Sequence, residues 1–423
     1  MQVLLAERAL AGANLTAVDD AAVIIDDGVI TWVGPRTEAP DHQEGADVEV
    51  HNLGNVTVMP GLIDAHTHLA FDGGPEPVRR MRGESEAAQV ALMLHHARNL
   101  LSVGVTTARD LGSPAYLDVA VREAIVGGIA RGPRLVVSGP PITITGGHCW
   151  FMGGEADSAD EVRTMVRRHH KHGTDLIKVM VTGGNMTTGS APWQAQFDTD
   201  VLRVIVEEAH RVGKKVAAHA HAAEGIRRAI DGAAEGIRRA VDAGVDSIEH
   251  CSFQNRSGGF ELDDTLVDRI VDAGIHVSPT VNFRLPELLG MMPDPYFPIG
   301  DLYRRGVQII AGTDAGIDDT PHHGFIGGLQ ALAGFGLPNR EVLTAATSRA
   351  AAAIGLGEIT GRLAPGYAAD VVAVAGDPLR DLTSLDELVL VMTNGQPFTP
   401  DPLPPINPLP ADYLPMNLRA GAH

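Results

Sequence analysis

The sequence predicts an α/β chain, a (β/α)₈ TIM-like barrel joined to a β-sandwich domain formed from the N- and C-terminal segments. Three observations predict it. Short apolar segments alternate with helical stretches across residues 58–360. Both flanks, 1–57 and 361–400, instead alternate apolar and polar residues around turn dipeptides. The chain has 423 residues, 44% of them hydrophobic. That is enough for a large core, and at about 150 residues per domain it allows two or three domains.

The elements follow in order. VLLAERAL, AAVIIDDGVITWVG and VEVHNLGNVTVMPG read as short strands broken at Asp-Gly and Gly-Pro. Eight barrel strands are then read: GLIDAHTHL, VTTARDL, RLVVSG, LIKVMVTGG, KVAAHAH, SIEH, HVSPTV and QIIAGTDAG. Helices lie between most of them, SADEVRTMVRRHHKHG and DTDVLRVIVEEAHRVGK being the plainest. GRLAPGYAADVVAVAGDP and ELVLVMTNGQPF return to strand character. Residues 401–423 read as a Pro-rich tail over the surface. A tandem copy, AAEGIRRAIDG at 222–232 and AAEGIRRAVDA at 233–243, follows the KVAAHAH strand. Eleven residues make about three helical turns, so a helix over both copies keeps its apolar face in phase. The alternative is that one copy loops out, since Gly225 and Gly236 each weaken helix.

Composition narrows the function classes. Lys+Arg 33 against Asp+Glu 53 gives a net charge of −20, which argues against nucleic acid and anionic membrane surfaces as partners. No apolar run of about 18 residues reads as a membrane span. The first residues carry Glu7 and no basic region, so no signal peptide is read and a cytoplasmic location is expected. Two cysteines without CxxC make neither a disulfide framework nor a zinc ribbon. Gly146-Gly147 and Gly183-Gly184 lack the strand–GxGxxG–helix context of a dinucleotide site. The 18 histidines are therefore the metal-ligand candidates.

They concentrate at strand ends. His66 and His68 close GLIDAHTHL, and residues i and i+2 of a strand share a face, so both imidazoles can chelate one metal. Taken alone the pair also fits an exposed strand end. His219 and His221 repeat the pattern in KVAAHAH, His250 ends SIEH, and Asp314 ends an apolar strand in IIAGTDAG. Lys178 stands inside an apolar strand, where a lysine is rare unless paired or modified. It either pairs with an acid of the barrel or is a desolvated amine that takes up CO₂, giving a carbamate that bridges two divalent metals.

This set resembles the amidohydrolase superfamily, within it the prolidase-like and imidazolonepropionase-related branch with a carboxylated lysine. VMPGLIDAHTHL, TGGHCWFMGGEADSADEVR, DLIKVMVTGG, VAAHAHAAEGIRRA, DSIEHC, AGTDAG and GRLAPGYAADVVAVAGDPL carry the resemblance over nearly the whole chain. It implies two divalent metal ions, Zn²⁺ by preference. One would lie on His66, His68 and Asp314, the other on His219 and His250, with N6-carboxylysine at Lys178 bridging. His221 would then face the substrate. His148, on the Gly-flanked loop ITGGHCW, is expected to contact substrate or polarise its carbonyl. Thr182, Gly183, Gly184 and Asn185 follow Lys178 at the mouth, where backbone N–H groups can take a substrate carboxylate.

The implied reaction is attack of a metal-bridging hydroxide on an amide carbonyl, with Asp314 as general base. The expected substrate is a small-molecule amide bearing a carboxylate, such as a dipeptide or an N-acyl amino acid. Cyclic amide, lactone or carbamate hydrolysis and a non-catalytic binding protein are the alternatives. A homo-oligomer is expected from the resemblance. His169, His170 and His172 read as a solvated helix face, and His322 and His323 as surface loop. Arg284 and Tyr303 are weaker candidates for an anionic substrate end. Cys149 and Cys251 lack the context of a nucleophile.

Overall fold

The computed structural model describes residues 1–40, 48–222, 235–255, 259–292 and 295–409. Both chain ends build one eight-stranded sheet. Its path runs 396–398, 388–393, 371–375, 56–60, 2–11, 16–26, 29–35, and Glu49–Asn52 pairs alongside Gln2–Ala11. The two ends meet where Val56–Pro60 lies antiparallel to Val371–Ala375. The Asp-Gly break is a tight hairpin, with Asp27 and Gly28 at φ 46° and 77°, the backbone a type I′ turn requires. Side chains alternate along these strands. Val371 and Ala373 join Leu4, Val23 and Ile25 in a core of the sheet's own, while Val372 and Val374 face the core of the rest of the chain.

The other strands are parallel and almost wholly buried, as strands covered on both faces must be. In chain order they are β1 (Leu62–Thr67), β2 (Val105–Asp110), β3 (Arg134–Val137), β4 (Leu176–Met180), β5 (Lys215–Ala222), β6 (Ser247–Gln254), β7 (His276–Ser278) and β8 (Gln308–Ile309). All eight expected segments are present. β1–β3 form one sheet and β4–β8 another, each in sequence order. Backbone bonds join the sheets at both seams. Ile142, just past β3, donates to Lys178 C=O and accepts from Met180 N–H, at 2.9 and 2.8 Å. His68 donates to Ala315 C=O, just past β8, at 2.8 Å. The C-terminal strand ends therefore converge, and loops leaving them share one face of the fold.

The helices stand where the sequence puts them. Ala159–His172 opens on a capping box, Ser158 and Glu161 each taking the other's backbone N–H, and closes on Gly173 at φ 79°. Thr199–Arg211 follows β4. One expectation needs correction. His169 is buried, bonding Pro140 C=O at 2.7 Å and the Tyr116 hydroxyl at 3.1 Å. It belongs to the inward stripe Val162, Met165, Val166, His169, whose i, i+3, i+4, i+7 spacing a helix buries.

After β5, Glu235–Ala243 is helical and covers most of the second tandem copy. The expectation for the first copy falls on residues 223–234, outside the described residues. The start of the tail crosses the surface. Asp401 takes two hydrogen bonds from the Arg98 guanidinium at 2.9 and 2.7 Å. The expectation for residues 410–423 also lies outside the described residues.

Candidate metal centre

Two triads stand at the converging strand ends: His66, His68 and Asp314, and His219, His221 and His250. In the first, His66 Nε2 and His68 Nε2 lie 3.3 Å apart, and Asp314 Oδ1 lies 3.3 and 3.2 Å from them. Two ligands bound about 2.0–2.1 Å from a tetrahedral ion stand about 3.3 Å from each other. The triangle therefore already has the size a divalent ion needs. In the second triad His219 Nδ1 and His250 Nε2 are 2.8 Å apart, a hydrogen-bond length. His221 stacks on His250 with ring centroids 4.2 Å apart, and its Nδ1 bonds Ser252 Oγ at 3.2 Å. Among the described residues these two groups have metal-ligating geometry.

The outer nitrogens of the rings fix their tautomers. His66 Nδ1–H donates to Glu249 Oε2 at 2.9 Å, which leaves the Nε2 lone pair facing the triad. His219 Nε2–H donates to Gly183 C=O at 3.0 Å, which leaves Nδ1 free to ligate. His250 Nδ1 bonds Thr280 Oγ1 at 2.8 Å. Burial, reinforced by neighbouring imidazoles and Lys178, holds His219 and His250 well below the usual histidine range. They are therefore neutral, the form that binds metal. Burial pushes the Asp314 carboxyl up, but His66, His68 and His250 outweigh it and keep it well below the usual carboxylate range. His250, Thr280 and Asp314 have φ of 67°, 52° and 60°. The left-handed region is uncommon outside glycine, least so for Asp and His and most for the β-branched Thr280, and such strain gathers at sites whose side chains must be aimed.

Lys178 is fully buried, and its Nζ has no hydrogen-bond partner. Burial lowers it to about 8, opposed by the charges of Glu249 and Asp314. A bare buried ammonium is costly, so the amine is poised to react or to meet an ion. His148 lies 4.7 Å from His219, ring to ring, and burial with His221 and Lys178 holds it at about 3.

A cavity of about 220 Å³ opens over the site, lined by His148, Asn185, His219, His221, His250 and Asp314 on one side. Phe260, Phe297, Leu285, Leu288, Leu289, Met292 and Ile317 form an apolar wall. Of the residues expected to meet substrate, His148, His221 and Asn185 line it. Thr182 does not: it is buried, and its hydroxyl donates to Gly183 C=O at 2.9 Å. The expected cradle of N–H groups is also absent, because Gly183 N–H is taken by Gln194 C=O and Gly184 N–H by Ser190 Oγ. Gly184 serves a packing need instead, since a Cβ there would come within 2.5 Å of His148 Nε2. Arg284 turns away to Asp319 C=O and Asn407 C=O. Tyr303 packs against the core.

His322 also departs from the expected surface loop. It is buried, stacks on His96 with centroids 4.3 Å apart, and bonds the His68 carbonyl oxygen through Nε2 at 3.1 Å. The chain Arg109–Glu249 was not expected either. Glu249 takes Arg109 Nη2–H at 2.7 Å and the Ser247 hydroxyl at 2.6 Å, all buried behind His66. Its sequence signal is the one that marks Lys178, a charge inside an apolar strand.

Residues 57–397 match the model of the Amidohydrolase family. Over 411 residues the chain is 28% identical to ochratoxinase of Aspergillus niger, covering 87% of this chain and 80% of that protein. Over 408 residues it is 27% identical to imidazolonepropionase of Deinococcus deserti, covering 89% and 90%. The crystal structure of a Xaa-Pro dipeptidase with bound methionine in the active site superposes with a TM-score of 0.77 at 26% identity, covering 94% of this chain and 99% of that one. Such neighbours imply a TIM barrel with a β-sandwich domain. The chain belongs to the amidohydrolase family and is a hydrolase acting on carbon–nitrogen bonds.

Proposed function

We propose that this hydrolase cleaves small amides in a metal-dependent reaction, the substrates being dipeptide-like or N-acyl amino acids with an apolar side group. The observation that carries the reading is the pair of triads around a buried, unpartnered Lys178, opening into a cavity with an apolar wall. The ring of parallel strands is read as a (β/α)₈ barrel with the terminal sheet as its β-sandwich.

His66, His68 and Asp314 would hold one divalent ion, and His219 and His250 a second. Two such ions, Zn²⁺ by preference, bring a charge of +4, and the triads supply one carboxylate. The neutral amine of Lys178 supplies another: its nitrogen lone pair forms a C–N bond to CO₂, an N–H proton leaves, and the carbamate is anionic. When bound, divalent metal lowers the pKa of water from 15.7 to about 7 and polarises a carbonyl oxygen. The Asp314 carboxylate takes the proton of the attacking water and delivers it to the leaving nitrogen. Neutral His148 donates an N–H to the carbonyl oxygen as charge develops there. His221 lines the pocket beside it. The apolar wall excludes water from the side group and strengthens these interactions.

The test is a screen of dipeptides and N-acyl amino acids with metal-loaded protein. Turnover should vanish on chelation, return with Zn²⁺, and fall at least about a hundredfold in Asp314→Asn. Full metal-dependent turnover by Asp314→Asn would sink the assignment.

A further inference from the structure

The cavity over the triads, about 220 Å³, is smaller than the roughly 300–1,000 Å³ of an ordinary small-molecule site. It is large enough for one phenyl-sized group, since a dry cavity of about 150 Å³ lined by Leu, Ile and Phe holds benzene. Beside it lies a wider groove of about 880 Å³. Asn185 and Met186 line both spaces. Ile317 lines the inner one, and its chain neighbour Asp318 lines the outer one. The two spaces therefore share a neck.

Their walls differ. Opposite the triads the inner cavity is apolar. The outer groove adds Glu76, Arg79, Arg82, Thr188 and Ser190 to a lining that includes the apolar Pro75, Pro77 and Val78, so it offers charged partners that the apolar wall of the inner cavity does not. Backbone bonds hold the neck in place. The chain leaves β4 and returns on itself: Gly183 N–H donates to Gln194 C=O and Gln196 N–H to Val181 C=O, both at 2.8 Å. The tip is tied down where Cys149 N–H donates to Thr187 Oγ1 at 2.9 Å.

We propose that cavity and groove are two subsites for one substrate, an amide that joins a compact apolar group to a longer polar chain. The apolar group sits in the inner cavity, the scissile bond lies at the triads, and the polar chain passes between Met186 and Ile317 into the groove. Met186 sets the bore of the neck. This rests on the amide-hydrolase reading and narrows its substrate class.

The test uses the full-length, zinc-loaded chain and two compounds that both release phenylalanine: N-acetylphenylalanine, and phenylalanine acylated by glycyl-seryl-glycine. Wild type should favour the longer compound in kcat/KM by about tenfold, a difference of about 1.4 kcal/mol. Met186→Trp, which narrows the neck, should erase that preference, with the loss in KM for the longer compound. Thr188→Trp fills only the exposed groove and should erode the same ratio, which keeps the test decisive if Met186→Trp does not fold. Metal-dependent release without any preference, or a ratio unmoved in both variants, overturns the two-subsite inference alone. No metal-dependent release from either compound overturns the amide-hydrolase reading with it.

Discussion

The two triads use the same side chains at the same kind of strand end, yet they stand on different supports. Behind His66 lies a buried charged chain, Glu249 held by Arg109 and Ser247. Behind His219, His221 and His250 lie a carbonyl and two hydroxyls, from Gly183, Ser252 and Thr280. A carboxylate behind an imidazole makes its free nitrogen a stronger base than a neutral acceptor does. The first triad also contains Asp314, so it would hold an ion with charge from two directions. The second has imidazoles only and would need an anion from elsewhere to hold an ion equally well. On the proposed reading the two ions should bind unequally, and a carbamate on Lys178 would be what makes the second site competent.

Removing that anion should have the largest effect. Lys178→Ala is expected to reduce bound zinc from about two ions per chain to about one, with turnover lost by at least about a hundredfold, since deleting an outer partner alone costs 10–100-fold. Metal analysis after dialysis gives the count. Short-chain carboxylates added to the variant should restore part of the activity. Two ions retained by Lys178→Ala would show that the second triad needs no carbamate.

Glu249→Gln strikes the other support. It should weaken the first ion by about 10–100-fold, read by competition with a zinc chelator. It also leaves the Arg109 guanidinium buried without its carboxylate, and breaking such a pair costs about 3–5 kcal/mol. The double variant Glu249→Gln/Arg109→Met should regain stability without regaining zinc affinity. Thr280→Val removes only a neutral partner of His250, so its effect on affinity should be smaller, at most about tenfold. An equal loss in Glu249→Gln and Thr280→Val would erase the distinction between the triads.

These supports also mark the limit of what the sequence discloses. His66, His68, His219, His250 and Asp314 are legible because each interrupts or ends an apolar strand, and a period of two says which residues share a face. The partner that orients each ring is not legible. Glu249 meets His66 across 183 residues of chain, a pairing that only strand order decides. The cavity wall comes from loops whose folded course depends on bonds such as Gly184 N–H to Ser190 Oγ, so Thr182 and the Gly-Gly cradle were misplaced. The burial of His169 was readable from helical spacing. That of His322 was not, because its short turn has no period.

The smallest effect concerns buried acids themselves. Glu249 and Asp118 are both fully buried, yet they are displaced in opposite directions. Burial pushes Glu249 up, but Arg109 and His66 reverse this and bring it to about 2. Asp118 has backbone N–H donors from Gly139 and Val119 and the charge of Arg122, but burial outweighs them and raises it to about 7. The folded chain thus keeps a proton on Asp118 that the unfolded chain gives up above the ordinary value of 3.8. Its contribution to stability is present below about pH 4 and is lost as pH rises toward 7. For Glu249 the sign is opposite: its contribution is present above the ordinary value of 4.5 and is lost as pH falls toward 2. Asp118→Asn cannot ionise, so its melting temperature should fall less than that of wild type between pH 4 and 7, by a few °C. A variant whose melting curve tracks wild type across that window would mean that the Gly139 and Val119 donors and the Arg122 charge keep Asp118 ionised despite its burial.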